Sequence, residues 1–237
     1  MFKSVFTKYK LVYQMKTIIY MHICAINNWK EIIKNLFDRI RSSGLYDKID
    51  ELRYGFLGNP DCLKDEIFKD PKFHNILWSS DINLRETVTL NKLWYAVKEE
   101  EFNVLYLHSK GVSHNGQNRD ITDLVEYLTY YNVDRHEDCI NQLNNGADVV
   151  GVNISNFMMF HYSGNFWWSK SAYIGKTIQY CVHFSYHAPE FWITSSREGT
   201  YVELNYLNDV YDGIFSKLEY KNKPLNIKKY KYTLEIT

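Results

Sequence analysis

Short apolar segments alternate with amphipathic segments over the first 152 residues of this 237-residue chain. Five segments have the length and the apolar content of buried strands: residues 17–24, 52–57, 75–78, 102–107 and 148–152. Three segments repeat apolar side chains at helical spacing: residues 29–40, 86–99 and 120–145. Strands that alternate with helices build parallel sheets with right-handed crossovers. The pattern therefore predicts an α/β fold, a single domain with a mostly parallel central sheet flanked by helices.

The composition is that of a soluble domain, with 45% hydrophobic and 24% charged residues. Lys and Arg number 28, as do Asp and Glu, so no overall charge favours nucleic acid or an anionic membrane as a partner. No apolar run approaches the ~18 residues that a membrane span needs. The N-terminal residues lack the apolar core of a signal peptide. We expect a cytoplasmic protein without an integral membrane segment.

Two terminal segments are expected to lie outside the domain of residues 17–215: an N-terminal extension, 1–16, and a basic tail, 216–237. The tail contains Lys217, Lys221, Lys223, Lys228, Lys229 and Lys231. A solvated tail explains that run, and a contact with a membrane or polymer is the alternative. Four scattered cysteines, without a CxxC pair, argue against zinc and for a reducing compartment.

The strand at residues 102–107 runs directly into His108, Ser109, Lys110 and Gly111. Ligands of open α/β sheets bind where strands end, and a cation followed by a permissive glycine suits phosphate. On the functional interpretation, Lys110 neutralises a diphosphate while His108 donates a hydrogen bond or binds a metal. The alternative is a surface turn with a solvated lysine and a capping histidine.

A second cluster lies at residues 161–174, where polar side chains precede two adjacent tryptophans. Gly164 and Asn165 predict a tight turn. Trp167 and Trp168 then point to opposite faces of a short strand, so that one is expected in the core and the other in a cleft. Polar groups in so apolar a setting need partners. The polar residues concerned are His161, Ser163 and Asn165.

A third candidate is Glu190, which follows Pro189 and is flanked by Phe191 and Trp192. A carboxylate in the first turn of a helix stabilises the helix dipole and needs no other role. A carboxylate between aromatic walls can also be a general base with a raised pKa. The residues leave both interpretations open.

Taken together, the motifs NNWKEI, LYLHSKG, DVVGVN, HYSGNFWWSKSAYI and PEFWI resemble a family of small glycosyltransferase domains of the GT-A type. Members of this family occur in large DNA viruses and in bacterial polysaccharide gene clusters, some of them close to rhamnan-synthesis proteins. The resemblance covers residues 17–193, and the order and spacing of the motifs carry it.

The resemblance implies a nucleoside diphosphate hexose, with a UDP-sugar favoured, bound at the carboxyl ends of the first four strands. Residues 17–112 are then the donor half of the domain and residues 120–215 the acceptor half. The implied donor-binding residues are Ile23, Asn27, Asn28, Trp29, Asp81 and Ser109. The implied acceptor- or sugar-binding residues are His161, Ser163, Asn165 and Trp168.

For catalysis, the resemblance assigns the leaving diphosphate to Lys110 and the acceptor hydroxyl to Glu190, with His108 beside them. His108 to Lys110 occupies the place where many GT-A enzymes carry an Asp-x-Asp metal motif. Mn²⁺ and Mg²⁺ prefer oxygen ligands, so the dependence on a divalent cation stays open. The candidate metal ligands are Asp81 and His108.

The expected function is the transfer of a hexose from a nucleotide sugar to a glycan or protein-linked acceptor, in glycosylation or polysaccharide biosynthesis. For a viral member, the expected location is the host cytoplasm or the virion. The alternative is a non-catalytic module that binds carbohydrate or nucleotide sugar and has a degenerate metal site.

Overall fold

The computed structural model describes residues 15–182, 185–196, 198–206 and 217–232. Within these ranges the strands, in chain order, are β1 Lys16–Cys24, β2 Glu51–Leu57, β3 Phe73–Ser79, β4 Phe102–His108, β5 Val149–Gly151, β6 Ile154–Ser155, β7 His161–Tyr162, β8 Trp167–Lys170, β9 Gly199–Glu203 and β10 Lys228–Tyr232. The α-helices are α1 Trp29–Ser42, α2 Leu45–Lys48, α3 Thr87–Ala96, α4 Arg119–Thr129, α5 His136–Asn144, α6 Ser171–Thr177, α7 Ala188–Phe191 and α8 Lys217–Tyr220. All five predicted strands are confirmed as β1 to β5.

In the part of the chain that the structure describes, the central sheet has eight strands in the order β10-β9-β5-β8-β4-β1-β2-β3, and β6 and β7 form a separate pair. The four strands β3, β2, β1 and β4 are parallel neighbours, so their carboxyl ends meet at one edge. Strand β8 is antiparallel to both β4 and β5. The chain leaves β5 and enters β8 at the same end of the sheet without a crossover helix, which reverses its direction. The predicted parallel sheet is therefore confirmed for the first four strands and mixed beyond them.

Helices cover both faces of the sheet, as the α/β prediction requires. Alternate side chains of β1 enter two different apolar clusters: Ile19 and Met21 pack with α1, α4 and α5, and Tyr20 packs with α3 and α6. A strand covered on both faces reads as a continuous apolar run, which is why β1 was recognisable in the sequence.

The long helix predicted at residues 120–145 is interrupted. A π-helical turn, Tyr130–Asp134, separates α4 from α5. Within it the Asn132 side chain donates to the Leu128 carbonyl at 2.9 Å, and the Asn132 carbonyl accepts from the Trp168 indole at 2.8 Å. One local bond and one tertiary bond thus stabilise a wider turn that helical periodicity does not show.

The expectation of a solvated basic tail is wrong for the part of the tail that the structure describes. Strand β10 pairs antiparallel with β9 and forms the edge of the central sheet. The Lys221 ammonium lies 2.8 Å from the Glu126 carboxylate. The predicted boundary at 215/216 and residues 1–14 of the predicted extension lie outside the described residues. Among the helices that the structure describes, none has the length and apolarity needed to cross a membrane.

Candidate functional site

A cleft of about 350 Å³ opens where the parallel strands β1 and β4 end, and we name it the strand-end cleft. Its charged and titratable lining includes His22, Arg85, Glu86, His108, Lys110 and Glu190. Strand ends of an open α/β sheet are the usual position for a ligand. The location of the HSKG turn at a cleft agrees with the sequence analysis, and Arg85 and Glu86 were not anticipated.

A second cleft, of about 700 Å³, lies beside the first and is named the lateral cleft. It extends from α7 to β10, and its lining includes His161, Ser163, Glu203 and Lys228. Both clefts are lined by Glu190 and by its neighbour His187. A ligand in either cleft therefore has access to the same carboxylate.

The turn after β4 is held in place by two hydrogen bonds to β1. The Ser109 amide donates to the His22 carbonyl at 2.9 Å, and the Cys24 amide donates to the Ser109 hydroxyl at 2.9 Å. Gly111 then takes a left-handed conformation with φ +88°. This geometry directs Lys110 into the strand-end cleft, where its side chain lies against Gly164.

His108 lies between Gly164 and Glu86. Its Nε2 atom lies 3.0 Å from the Gly164 carbonyl, which can only accept, so Nε2 carries a proton. Its Nδ1 atom lies 3.5 Å from the Glu86 carboxylate. Burial lowers the pKa of His108, and nearby Lys110 lowers it further against the opposing effect of Glu86. His108 therefore joins the two halves of the site, with its Nε2 proton donated to Gly164 and its Nδ1 atom facing Glu86.

Glu86 organises the floor of the cleft and was missed in the sequence. Its Oε2 atom accepts from the Tyr106 hydroxyl at 2.9 Å and from the Asn165 amide at 2.7 Å. Asn165 in turn accepts from the Trp167 indole at 2.8 Å. In the sequence, Glu86 looked like an acidic residue at a helix start, a common feature that suggests no site.

Glu190 lies in the short helix α7 and faces the turn between β7 and β8. Its Oε1 atom accepts from the Gly164 amide at 2.7 Å, and its Oε2 atom lies 3.4 Å from His187 Nδ1. Burial raises the pKa of Glu190, but the charge of Lys110 and the Gly164 hydrogen bond outweigh burial, and the pKa is lowered. Of the two interpretations that the sequence left open, the raised pKa is not found, because the aromatic walls do not exclude these partners.

Arg85 is a second cation of the strand-end cleft. Its guanidinium carbon lies 4.3 Å from the centre of the Tyr186 ring, and both side chains line the cleft. Its backbone has φ 52° and ψ −158°, an unfavourable conformation for a residue with a side chain. Such strain is often found at functional sites, and the sequence around Arg85 gives no sign of it.

Only some of the implied donor-binding residues lie at the strand-end cleft. Ser109 lines the strand-end cleft. Ile23 is fully buried, so the assignment of its side chain to the donor is wrong. Trp29 is partly buried, stacks on Phe68 at 6.1 Å and does not line the strand-end cleft. The Asn27 amide donates to the Val112 carbonyl at 2.9 Å and so braces the turn after β4.

Two further donor candidates lie beside the strand-end cleft. Asn28 lines an adjoining groove of about 320 Å³ between α1 and α4. Asp81 is exposed, and its carboxylate accepts from the Asn83 amide at 2.9 Å. This bond caps the turn Ile82–Leu84, whose first two residues line the cleft.

The acceptor candidates are similarly divided. Trp168 is fully buried and donates to the Asn132 carbonyl at 2.8 Å, so its assignment to sugar binding is wrong. Trp167 is also fully buried, because both faces of β8 are covered. His161 and Ser163 line the lateral cleft, and Asn165 lines the strand-end cleft.

The side chains available as metal ligands do not fit the divalent cation that the GT-A resemblance suggested. No group of three or more His, Cys, Asp or Glu side chains within the described ranges could hold a metal ion. The Nε2 atom of His108 donates to a backbone carbonyl, and the Asp81 carboxylate caps a turn. Mn²⁺ and Mg²⁺ require several converging oxygen ligands, so we derive no step through a metal.

The fold and the clefts define an α/β protein with a cleft at the carboxyl edge of its parallel strands. The chain belongs to the family described as Domain of unknown function (DUF8361), whose model matches residues 19–206. A solved crystal structure, that of 4-diphosphocytidyl-2C-methyl-D-erythritol synthase, is similar in fold over 69% of this chain and 78% of that chain. The two share 10% sequence identity, with a TM-score of 0.37.

Proposed function

We propose that this protein is a glycosyltransferase that moves a hexose from a nucleoside diphosphate sugar, with a UDP-sugar favoured, to a glycan or protein-linked acceptor. The observation that carries the proposal is the position of Glu190, which lines both the strand-end cleft and the lateral cleft. A transferase needs two substrate sites that meet at the reacting atoms. The motif resemblance to GT-A domains supports the same conclusion.

The donor is assigned to the strand-end cleft because of its cations. Lys110 and Arg85 both line this cleft. A nucleoside diphosphate carries negative charge, and more charge develops on its leaving oxygen as the glycosidic bond breaks. Cations that are already in place stabilise such a transition state without reorganisation. Lys110 and Arg85 therefore take the leaving-group role in the proposal.

The acceptor is assigned to the lateral cleft, in which polar side chains lie beside aromatic rings. Asn153, Ser163 and Asn205 line it together with Phe191 and Tyr230. Aromatic rings pack on the apolar face of a sugar while amide and hydroxyl groups bind its hydroxyls. His161 and Ser163 thus keep the acceptor-binding role that the resemblance implied.

In the proposed reaction, an acceptor hydroxyl attacks the anomeric carbon of the donor sugar through an oxocarbenium-like transition state. The new bond joins the acceptor oxygen to that carbon, and the bond from the carbon to the diphosphate oxygen breaks. The hydroxyl proton passes to Glu190, whose lowered pKa keeps it ionised at neutral pH. This role applies to a transfer that inverts the anomeric configuration. In a retaining transfer, Glu190 orients the acceptor.

A hydrolysis assay of UDP-, GDP- and dTDP-sugars, with and without Mn²⁺, tests the proposal. A transferase without its acceptor is expected to hydrolyse its donor slowly and to release the nucleoside diphosphate. A thermal-shift series with the same compounds identifies the donor, because a ligand of the native state raises its stability. Stabilisation without release from any donor would indicate the alternative function, a non-catalytic binding module. If no compound stabilises the protein and no donor releases its nucleoside diphosphate, the proposal is refuted.

A further inference from the structure

Three consecutive apolar side chains are exposed at the edge of the lateral cleft. Phe157 is 78% exposed, Met158 67% and Met159 47%, and we name these three residues the Phe157 ledge. Phe157 and Met158 line the lateral cleft. Contiguous exposed apolar side chains beside a polar cleft are typical of a binding surface.

The backbone of the Phe157 ledge is held by local hydrogen bonds although its side chains are exposed. The Phe157 amide donates to the Ser155 hydroxyl at 3.0 Å, and the Met159 amide donates to the Phe157 carbonyl at 2.8 Å. The Met159 carbonyl lies 2.7 Å from the Nδ1 atom of His161. The ledge therefore presents its side chains from a hydrogen-bonded backbone, and backbone order of this kind reduces the entropy lost on binding.

The chemistry of the lateral cleft suits a carbohydrate. Asn153, Asn156 and Asn205 offer amide groups, and the carboxylates of Glu190 and Glu203 also line the cleft. Hydroxyl groups bind to such planar polar side chains, and the apolar face of a sugar ring packs on an aromatic ring. The negative charge of these two carboxylates also disfavours contact with an anionic lipid surface.

The size of the lateral cleft indicates more than one sugar. Its volume of about 700 Å³ is twice the 350 Å³ of the strand-end cleft, which is assigned to a nucleotide and its sugar. The lining continues from Glu190 to Lys228 and Tyr230 on β10. A single acceptor sugar at Glu190 leaves most of this lining uncovered.

We propose that the acceptor is a glycan chain of at least two sugars, with its reacting hydroxyl at Glu190 and a sugar further along the chain packed on Phe157. This inference rests on the proposed transferase function. It assigns the Phe157 ledge as a determinant of acceptor length, a role that is separate from the chemistry at Glu190.

An array of mono- to hexasaccharides, probed with the full chain in the presence of UDP, tests the inference. The wild-type protein is expected to retain oligosaccharides more strongly than the monosaccharides of which they consist. Phe157→Ala is expected to reduce oligosaccharide retention by roughly two- to tenfold, which corresponds to one lost aromatic contact. Tyr95→Ala is the matched control, because Tyr95 is 55% exposed on α3 and outside both clefts. Its retention is expected to equal that of the wild type.

Donor hydrolysis is measured on the same variants, so that failure of the transferase proposal is seen separately as a lack of hydrolysis in the wild type. Equal retention of monosaccharides and oligosaccharides, or no retained oligosaccharide, would overturn the inference. Unchanged retention by Phe157→Ala would do the same. Binding to vesicles of phosphatidylcholine and phosphatidylserine that is lost in Phe157→Ala would assign the ledge to a lipid surface instead and would also overturn it.

Discussion

Replacing Gly164 by alanine should destabilise the protein more than the same change at Gly146. Both glycines have left-handed backbones, with φ +95° at Gly164 and φ +96° at Gly146. A Cβ atom at Gly146 would meet nothing within 4 Å. A Cβ atom at Gly164 would overlap the Cδ1 atom of Leu128, which is fully buried, and would lie 3.3 Å from Lys110 Cε. The two positions therefore differ in crowding and not in backbone conformation.

The expected magnitudes follow from these two contributions. A left-handed conformation costs an alanine about 1–2 kcal/mol at either position. Crowding in a packed core adds about 1–3 kcal/mol, and only at Gly164. The free energy of unfolding should thus fall by about 1–2 kcal/mol in Gly146→Ala and by about 2–5 kcal/mol in Gly164→Ala. For a chain of this size, the 1–3 kcal/mol difference corresponds to roughly 2–12 °C in Tm.

Urea denaturation followed by tryptophan fluorescence measures both variants, and equal m-values ensure that the free energies are comparable. The Gly164 amide also binds Glu190, and its carbonyl binds His108. Donor hydrolysis at a temperature well below Tm should therefore fall in Gly164→Ala and not in Gly146→Ala. Equal free energies of unfolding for the two variants would refute the packing that we describe around Gly164.

Three other variants test separate parts of the account. Lys110→Ala should weaken UDP binding by roughly tenfold in calorimetry, the loss of a charged contact, whereas the exposed Lys92→Ala should match the wild type. Burial, with a contribution from His108, lowers the pKa of His22 to about 3, so the unfolded chain binds a proton that the folded protein does not. Stability should fall from pH 7 to pH 5 by about 2 kcal/mol from this residue alone, and His22→Asn should remove that part of the fall in urea titrations. Trp168→Phe should cost about 1–3 kcal/mol of stability, because the Asn132 carbonyl loses its donor, and should leave glycan retention unchanged. UDP affinity equal to wild type in Lys110→Ala, an unchanged acid response in His22→Asn, or lost glycan retention with unchanged stability in Trp168→Phe would each contradict the corresponding assignment.

Local periodicity was enough to predict β1 to β5 and the helices α1 and α3, because their apolar side chains repeat at strand or helix spacing. Features that depend on distant partners were not predictable. The π-helical turn is stabilised by the bond between Asn132 and Trp168, residues that lie 36 positions apart. Strand β10 belongs to a lysine-rich segment, Lys228–Tyr232, whose pairing with β9 no local pattern indicates.

The residues of the candidate site also divide into those that the sequence identified and those that it did not. Lys110 was identifiable because it follows the end of an apolar strand, and Glu190 because it is a carboxylate flanked by aromatic residues. Glu86 was not, since an acidic residue at a helix start is common, and the strained backbone of Arg85 has no sequence signature. Trp168 was misassigned because the alternation of side chains along a strand does not show whether both faces of that strand are covered.

Glu190→Gln tests the central claim most directly, because one carboxylate is proposed to serve both clefts. Donor hydrolysis should fall by at least roughly 100-fold, as expected when a general base is removed, while UDP affinity in calorimetry stays within about twofold of wild type. The control is Glu137→Gln, an exposed carboxylate on α5 outside both clefts, whose hydrolysis rate should not change. Near-normal hydrolysis by Glu190→Gln, with intact UDP affinity, would contradict the role of Glu190 as the base.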